Sequence, residues 1–421
     1  MQEKIYRKGT NLMTEQASRR EALDACIKCS VCTAMCPVTA ANPLYSGPKS
    51  IGPDAERFRL EGIEIGTSLL SYCSECRTCE LTCPSGVQIT KMIARARRKA
   101  LQNKKGNIKT MPLDVRDYIL GRTEYLGELA SLMPKLTNIL IGASLARKAM
   151  ESILGISSKA PLPGYGSKLQ NINRKINSKK KQVVYFPGCF TKYNDSPTGK
   201  AIIKVLEYNG YEVIVPSFNC CATPLEANGR FKEAEDTKRK NLALMQPYAQ
   251  QGIPLITGCT TCGLALKEYP SFEEEGFQKT PLKVYDLFEF LWMLYQKNEL
   301  RTDFKEINTS LGYHASCHLK AQGIGVPAIR ILRLIPGVKV VELDQGCCGL
   351  SGSYGFKKEK YNIAMQIGQA LFNRASEGIR TGDFENIACE CGVCRVQINH
   401  GAKVETNHPV WILMQAYGFC E

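Results

Sequence analysis

The sequence predicts a mixed fold in which a helical, cysteine-rich N-terminal module precedes a duplicated α/β domain. Three observations support this. Two runs of four cysteines lie among helical patterns near the N-terminus, and from Val183 onward short apolar strands alternate with helices. This alternating pattern then occurs twice, with its cysteines in the same places. We expect four segments, with bounds at 1–105, 106–182, 183–305 and 306–421.

The most unusual feature of the composition is its 20 cysteines in 421 residues. A disulfide scaffold suits small secreted chains rather than one of this length. The first residues, MQEKIYRKGTNLMTEQ, contain no apolar segment, so we expect no secretory signal and a cytoplasmic location. Cysteines at this density in a cytoplasmic protein indicate metal or redox chemistry.

The positive charge is confined to the N-terminal part of the chain. Residues 1–181 contain 30 Lys or Arg and 15 Asp or Glu, which accounts for the whole net charge of +15. Such a basic segment suits nucleic acid, an anionic membrane surface or bound anionic groups. No nucleic-acid-binding motif accompanies the charge, so we expect no nucleic acid partner.

Two runs of four cysteines share the spacing C-x2-C-x2-C-x3-C-P. In ferredoxins with two clusters, three thiolates of such a run hold one iron cube and the fourth reaches the other cube. We therefore assign one [4Fe–4S] cluster to Cys26, Cys29, Cys32 and Cys83. We assign a second [4Fe–4S] cluster to Cys73, Cys76, Cys79 and Cys36. Two zinc sites are the alternative, although zinc usually takes ligand pairs that are further apart.

The segments around these runs have helical patterns, including VQITKMIARARRKALQ after the second run, so we predict an α-helical ferredoxin-like module. Four cations follow that run, namely Arg95, Arg97, Arg98 and Lys99. Positive charge near a cluster would favour its reduced form. A solvated or partner-binding helix face is the open alternative.

The α/β part is an internal duplication. Each half has a lone cysteine after a strand, an adjacent pair after the next strand, and C-x2-C after a third. The lone cysteine precedes the pair by 31 residues in the first half and 30 in the second, and the gaps from the pair to C-x2-C are 38 and 43 residues. Ligands of open α/β sheets usually bind at such strand ends. The two sets are Cys189, Cys220, Cys221, Cys259 and Cys262, and Cys317, Cys347, Cys348, Cys391 and Cys394.

Adjacent thiols are badly placed to bind one iron, so each pair suits a cluster that is wider or less symmetric than a cube. In this pattern the chain resembles the cysteine-rich CCG family, in which a lone cysteine, CCG and C-x2-C recur. The family includes the B subunit of heterodisulfide reductase, the glycolate oxidase iron–sulfur subunit and the C subunit of anaerobic glycerol-3-phosphate dehydrogenase. The resemblance implies one or two noncubane [4Fe–4S] clusters in the repeats.

The chain departs from the family pattern in two places. Ala222 follows the first pair where the family has glycine, and its methyl group is expected to crowd the turn. The second half also carries Cys389, where the first half has Thr257. We interpret Cys389 as a strand-end residue, with ligation as the alternative, and we expect Cys420 not to be a ligand.

The resemblance is closest to the dehydrogenase C subunits and covers nearly the whole chain, including CCATPLEANG, YGFKKE and NHPVWILMQA. It implies an electron-transfer subunit of anaerobic respiration and glycerol metabolism, which takes electrons from a flavoprotein dehydrogenase and passes them to menaquinone. No phosphate loop, dinucleotide fingerprint or nucleophile–base–acid set is present, so we expect substrate oxidation on a partner chain and name no catalytic residue. Glycolate or lactate oxidation and heterodisulfide-type disulfide reduction are the alternatives.

No segment is long and apolar enough to span a bilayer. The stretch KLTNILIGASLARKAMESILGI predicts one amphipathic helix, which would make a peripheral contact with the inner face of the cell membrane or pack on protein. Two histidines are also of interest. His318, next to Cys317, is either a group that acts on the cluster or an ordinary polar residue at a helix start. His408 is predicted in the first turn of a helix.

Overall fold

The computed structural model describes residues 23–103, 111–177, 179–269 and 282–419, so Cys420 lies outside the described residues. The chain forms two compact units, Met1–Ile108 and Lys109–Glu421. The mixed fold class is confirmed: the described part of the first unit is helical, and the second contains two parallel sheets. The four segment bounds remain predictions.

The first unit consists of short helices around the two cysteine runs. Its described helices are Val31–Ala34, Pro37–Ala41, Gly47–Lys49, Ala55–Leu60, Thr78–Leu81 and Ile89–Asn103, with a π-helical turn at Ser50–Asp54 and a 3₁₀ turn at Thr67–Tyr72. Pro37 occupies the first position of its helix. Proline is well tolerated there because that position needs no backbone donor.

The second unit begins with four helices, Met111–Gly121, Thr123–Ala130, Pro134–Gly142 and Ser144–Leu154. The prediction of one helix after Pro134 is therefore wrong. The helix is interrupted at Ala143, whose backbone is extended with ψ of 128°. Gly142 weakens the helix before the break, and Ser144 begins the next one, because serine favours helix starts over helix interiors.

Each repeat contains a parallel four-stranded sheet. In the first repeat the strands are β1 (Gln182–Tyr185), β2 (Glu212–Ile214), β3 (Leu255–Thr257) and β4 (Val284–Asp286), in the order β2-β1-β3-β4. In the second they are β5 (Thr309–Tyr313), β6 (Val338–Glu342), β7 (Asn386–Ala388) and β8 (Thr406–Asn407), in the order β6-β5-β7-β8. The sequence pattern predicts the first three strands of each repeat and misses β4 and β8, which are only three and two residues long.

Helices connect and cover the strands, as parallel sheets require. Those of the first repeat are Gly188–Tyr193, Ser196–Tyr208, Thr223–Ala227, Phe231–Gln250, Thr260–Lys267 and Leu287–Gln296. Those of the second are Cys317–Lys320, Pro327–Leu332, Lys358–Thr381, Gly392–Ala402 and Val410–Ala416, with a 3₁₀ turn at Tyr354–Phe356.

The two repeats pack through one shared apolar core, which includes Ile202 and Leu291 from the first repeat and Leu332 and Leu413 from the second. Helices of the two repeats contact each other in two approximately equivalent pairs. The helix Ser196–Tyr208, the second after β1, packs on the helix Val410–Ala416, which follows β8. The helix Leu287–Gln296, which follows β4, packs on the helix Pro327–Leu332, the second after β5. The cysteine-bearing edges of both sheets therefore belong to one compact unit.

Candidate iron–sulfur sites

The two cysteine runs of the first unit have the same backbone conformation. In the first run, Lys28 and Ser30 have φ of 59° and 66°, and in the second run Glu75 and Arg77 have φ of 59° and 62°. Left-handed residues are uncommon outside glycine, yet both runs place them two and four residues after their first cysteine. Alternating left- and right-handed residues turn successive N–H groups towards one point, which suits an anionic group.

The structure brings together the four cysteines assigned to the first cluster. Cys26, Cys29, Cys32 and Cys83 line one cavity, with Val87 and Ile89 among its other residues. The Val87 N–H donates to the Cys83 Sγ at 3.3 Å. The fourth ligand of this predicted set thus comes from the second run, as the crossed assignment requires.

The second assigned set is also grouped. Burial raises the pKa of Cys79, and the neighbouring thiols of Cys73, Cys76 and Cys36 raise it further. Burial likewise raises the pKa of Cys73 to about 12. Thiolates are therefore unfavourable here unless a cation compensates them, which is the environment that a metal centre supplies.

Arg97 is fixed against this second set. Its guanidinium donates to the carbonyl oxygens of Leu70 and Cys73 at 2.7 and 3.0 Å and to Glu75 Oε1 at 2.6 Å. It also acts to lower the pKa of Cys73. Arg97 is thus placed to favour negative charge on these thiols. For Arg95, Arg98 and Lys99 the two interpretations of the basic cluster stay open.

In the first repeat the five predicted cysteines gather at the carboxyl end of the sheet. The Cys220 and Cys189 sulfurs lie 3.8 Å apart. Hydrogen bonds from Cys220 and Cys262 lower the pKa of Cys221, and Cys262 also contacts Cys259. The five thiols therefore form one continuous cluster, with the pair at its centre.

A helix from outside the repeat reaches this cluster, and the sequence analysis missed it. The Thr123 hydroxyl donates to the Cys189 Sγ at 3.3 Å. The carboxylate of Glu124 accepts the Cys220 N–H at 2.7 Å and lies 3.3 Å from Lys192. Both residues begin the helix Thr123–Ala130. No local sequence pattern signals a contact between residues so far apart in the chain.

The second repeat brings its own five cysteines together at the equivalent edge. The Cys348 and Cys394 sulfurs lie 3.1 Å apart. Hydrogen bonds from Cys317 and Cys348 lower the pKa of Cys347 well below its usual range, and Cys391 contacts Cys394. In each repeat, one member of the adjacent pair is thus favoured as a thiolate, the form that binds metal.

Two further residues lie in the second cluster. Cys389 directly follows β7, the strand end at which the sequence places it. A ring nitrogen of His314, the Cys389 Sγ and the Cys394 Sγ all lie within 4.8 Å of one another. Burial lowers the pKa of His314 to about 4, so its imidazole is neutral at pH 7.

The other two histidines of interest make ordinary hydrogen bonds. His318 Nδ1 lies 2.9 Å from the Thr261 hydroxyl. His408 Nδ1 accepts the Val410 N–H at 3.1 Å, in the turn that begins the helix Val410–Ala416. His408 therefore stabilises a helix start from two residues before the helix, next to the first turn in which the sequence predicts it.

Comparison with known proteins agrees with this arrangement. A model of the 4Fe-4S dicluster domain matches residues 22–87, and a model of the CCG cysteine-rich domain matches residues 183–267 and 311–399. The chain is 33% identical over 404 residues to the C subunit of the anaerobic glycerol-3-phosphate dehydrogenase of Escherichia coli K12, which covers 94% of this chain and 98% of that protein. The chain belongs to the family of these C subunits.

More distant relatives align with most of this chain. The B subunit of the fumarate reductase (CoM/CoB) of Methanothermobacter marburgensis is 27% identical over 91% of this chain and 69% of its own length. The probable glycolate oxidase iron–sulfur subunit of Bacillus subtilis is 23% identical over 90% of this chain and 89% of its own length. The resemblance expected from the cysteine motifs is therefore confirmed, and the chain is an iron–sulfur subunit of an oxidoreductase.

Proposed function

We propose that the chain transfers electrons from a flavin-containing glycerol-3-phosphate dehydrogenase partner to menaquinone. The observation that carries this proposal is the likeness to the C subunit over 94% of the chain. Bound iron–sulfur clusters supply one-electron transfer, while the protein sets their order, potential and access. The residues proposed to hold them are the eight cysteines of the two runs and, for noncubane clusters, the five-cysteine sets of the repeats.

A surface of the second unit supports a membrane-bound acceptor. In the helices Pro134–Gly142 and Ser144–Leu154 and the turn before them, large apolar side chains face solvent, among them Leu132 at 76% exposure, Ile139 at 69% and Leu145 at 82%. Exposed apolar patches of this kind mark interaction surfaces. Of the helices that the structure describes, none is long and apolar enough to cross a membrane. From the exposed apolar surface we propose peripheral contact with the inner face of the cell membrane.

This apolar surface is connected to the first cysteine set by a short piece of chain. Thr123 and Glu124 contact Cys189 and Cys220 at one end of the helix Thr123–Ala130, and Leu132 follows the other end. Membrane binding through the surface would thus bring a quinone near the first repeat. This continuity favours a lipid-soluble acceptor over a water-soluble one.

The test reconstitutes the anaerobic protein with its flavoprotein partner on vesicles of anionic phospholipid that contain a menaquinone analogue. We expect glycerol 3-phosphate to reduce the analogue. The double variant Ile139→Glu/Leu145→Glu should lose vesicle binding and quinone reduction, yet keep reduction of a water-soluble dye. Ile63→Glu, at a position that is 53% exposed in the first unit, is the matched control and should retain both.

Two outcomes would contradict the proposal. If glycerol 3-phosphate does not reduce the chain with its flavoprotein partner while glycolate or lactate does, the substrate is wrong. If a heterodisulfide oxidises the reduced chain and the quinone does not, the chain is a disulfide reductase. The second possibility has support in the D subunit of the heterodisulfide reductase of Methanosarcina barkeri, which is 23% identical over 90% of this chain.

A further inference from the structure

The two repeats differ at two matched positions beside their cysteines. Three residues before the lone cysteine, the first repeat has Phe186 and the second has His314. Two residues before C-x2-C, the first repeat has Thr257 and the second has Cys389. In the first repeat these positions serve the fold, since Phe186 packs on Phe218 with ring centroids 5.1 Å apart and the Thr257 hydroxyl accepts the Cys259 N–H at 3.3 Å.

In the second repeat the side chains at both positions place a potential ligand atom beside the cysteines, namely a ring nitrogen of His314 and the sulfur of Cys389. His314 is 1% exposed and Cys389 is 0% exposed. Neither ring nitrogen of His314 has a hydrogen-bond partner among the described residues. A buried polar group left without a partner destabilises the fold unless something binds it. One of these nitrogens lies within 4.8 Å of the sulfurs of Cys389 and Cys394.

We propose that His314 and Cys389 are ligands of the metal centre in the second repeat. This centre would have mixed imidazole and thiolate ligation, whereas the first repeat offers thiolates alone. The proposal deepens the proposed function, on which it rests for the presence of metal in the repeats. The ligand chemistry suits iron in a cluster or a single zinc ion, because both accept imidazole nitrogen together with thiolate sulfur.

The ligation has a functional consequence if the metal is iron. Imidazole is a neutral ligand, and its replacement of thiolate raises the reduction potential of an iron–sulfur centre. An imidazole from His314 in place of a thiolate would raise the potential of the second centre, and an added thiolate from Cys389 would lower it. The two repeats would thus hold centres of different potential, although their sheets and cysteine spacings are alike. With zinc in its place, the second repeat would carry no electrons and its role would be structural.

The test uses two variants that each convert a histidine of the second repeat to its first-repeat counterpart. His314→Phe restores the residue at Phe186, and His318→Phe restores the residue at Phe190, four positions away. His318→Phe is the matched control, because that imidazole is bonded to Thr261 instead. Iron and zinc per chain are measured on anaerobically purified protein, together with pulsed EPR of samples labelled with ¹⁵N-histidine.

Four clusters would give about 16 iron atoms per chain, at four per cluster. For an iron centre, we expect this content and a histidine nitrogen coupling that His314→Phe abolishes and His318→Phe retains. For zinc, we expect about 12 iron atoms and one zinc, with the zinc lost in His314→Phe and retained in His318→Phe. Cys389→Thr, the first-repeat residue, removes a different ligand and leaves His314 in place, so it should change the EPR spectrum of an iron centre or release the zinc.

The proposal is overturned if His314→Phe and Cys389→Thr keep the wild-type metal content and show unchanged spectra. It is also overturned if His318→Phe has the same effect as His314→Phe. His314→Gln guards against a simple folding defect, since it keeps a polar side chain of similar length and should still lose the nitrogen coupling. Failure of glycerol 3-phosphate to reduce the wild-type chain would count against the proposed function and leave these metal measurements standing.

Discussion

The two repeats place a left-handed residue directly after their adjacent cysteines, but they fill that position differently. It is Ala222 with φ of 72° in the first repeat and Gly349 with φ of 85° in the second. A Cβ on Gly349 would lie 2.0 Å from the backbone oxygen of Ala364. The methyl group of Ala222 instead packs with Leu225 and Ala234. The conformation is common to both turns, whereas the residue type follows from what packs against each turn.

The largest expected effect is that of Gly349→Ala. A left-handed alanine costs about 1–2 kcal/mol, and overpacking against the backbone adds about 1–3 kcal/mol. We therefore expect a loss of about 3 kcal/mol in the free energy of unfolding, measured by urea titration of the anaerobic protein. Gly346→Ala is the control, since Gly346 has φ of 78° but nothing within 4 Å of the added Cβ, and it should cost about 1 kcal/mol. Equal losses of unfolding free energy in the two variants would show that packing against the backbone of Ala364 adds nothing to the cost of a left-handed alanine.

A second difference between the repeats lies at the ends of β4 and β8. Asp286 accepts the N–H of Phe288, and His408 accepts the N–H of Val410. Each side chain thus satisfies a backbone donor at the start of the helix that follows its strand. Burial raises the pKa of Asp286 to about 7 and lowers the pKa of His408 to about 3. Burial thus favours the neutral form of both groups, and the two groups give stability opposite dependences on pH.

We expect Asp286→Asn and His408→Asn to separate these two dependences. Between pH 4 and 7 the unfolded chain has lost the Asp286 proton that the native state retains, so this residue makes stability fall as pH rises. Between pH 3 and 6.5 the unfolded chain has bound a His408 proton that the native state lacks, so this residue makes stability rise with pH. Each slope is up to about 1.4 kcal/mol per pH unit, and they oppose each other in the wild type near pH 5–6.

Urea titrations at pH 5 and 6 provide the measurement. Stability should rise over this interval in Asp286→Asn and fall in His408→Asn, relative to the wild type. Asp303→Asn, at an exposed aspartate, is a control that should leave the wild-type profile unchanged. Slopes of the same sign in the two buried variants would show that burial does not hold these groups neutral.

The sequence predicts the fold class, and it groups the same cysteines that lie near one another in the structure, because both depend on local patterns. The backbone turns at Ser30 and Arg77 lie within runs whose spacing already predicts three ligands each. Contacts that form only when distant segments pack together have no such pattern in the sequence. Glu124 reaches Cys220 from a helix 96 residues earlier in the chain. His314 looks like any strand-end residue until the fold places Cys389 and Cys394 beside it.

The smallest expected effect is that of Ala222→Gly, which gives the first repeat the residue of the second. Glycine removes a left-handed strain of about 1–2 kcal/mol. It also loses about 0.8 kcal/mol of methyl burial and about 0.5–1 kcal/mol through the greater freedom of the unfolded chain. These contributions nearly cancel, so we expect urea titration to show a change within about 0.5 kcal/mol, with metal content unaltered.

A larger side chain at this turn sharpens the comparison. Ala222→Val keeps an apolar side chain but puts a branched residue in the left-handed region, where it is a genuine outlier. We expect it to destabilise the first repeat by about 2 kcal/mol, from added strain and overpacking beside Leu225. If Ala222→Gly were the more damaging of the two, the methyl contacts with Leu225 and Ala234 would outweigh the backbone strain. Packing would then decide the residue type at this turn in both repeats. The first repeat would require the methyl group, and the second would exclude it.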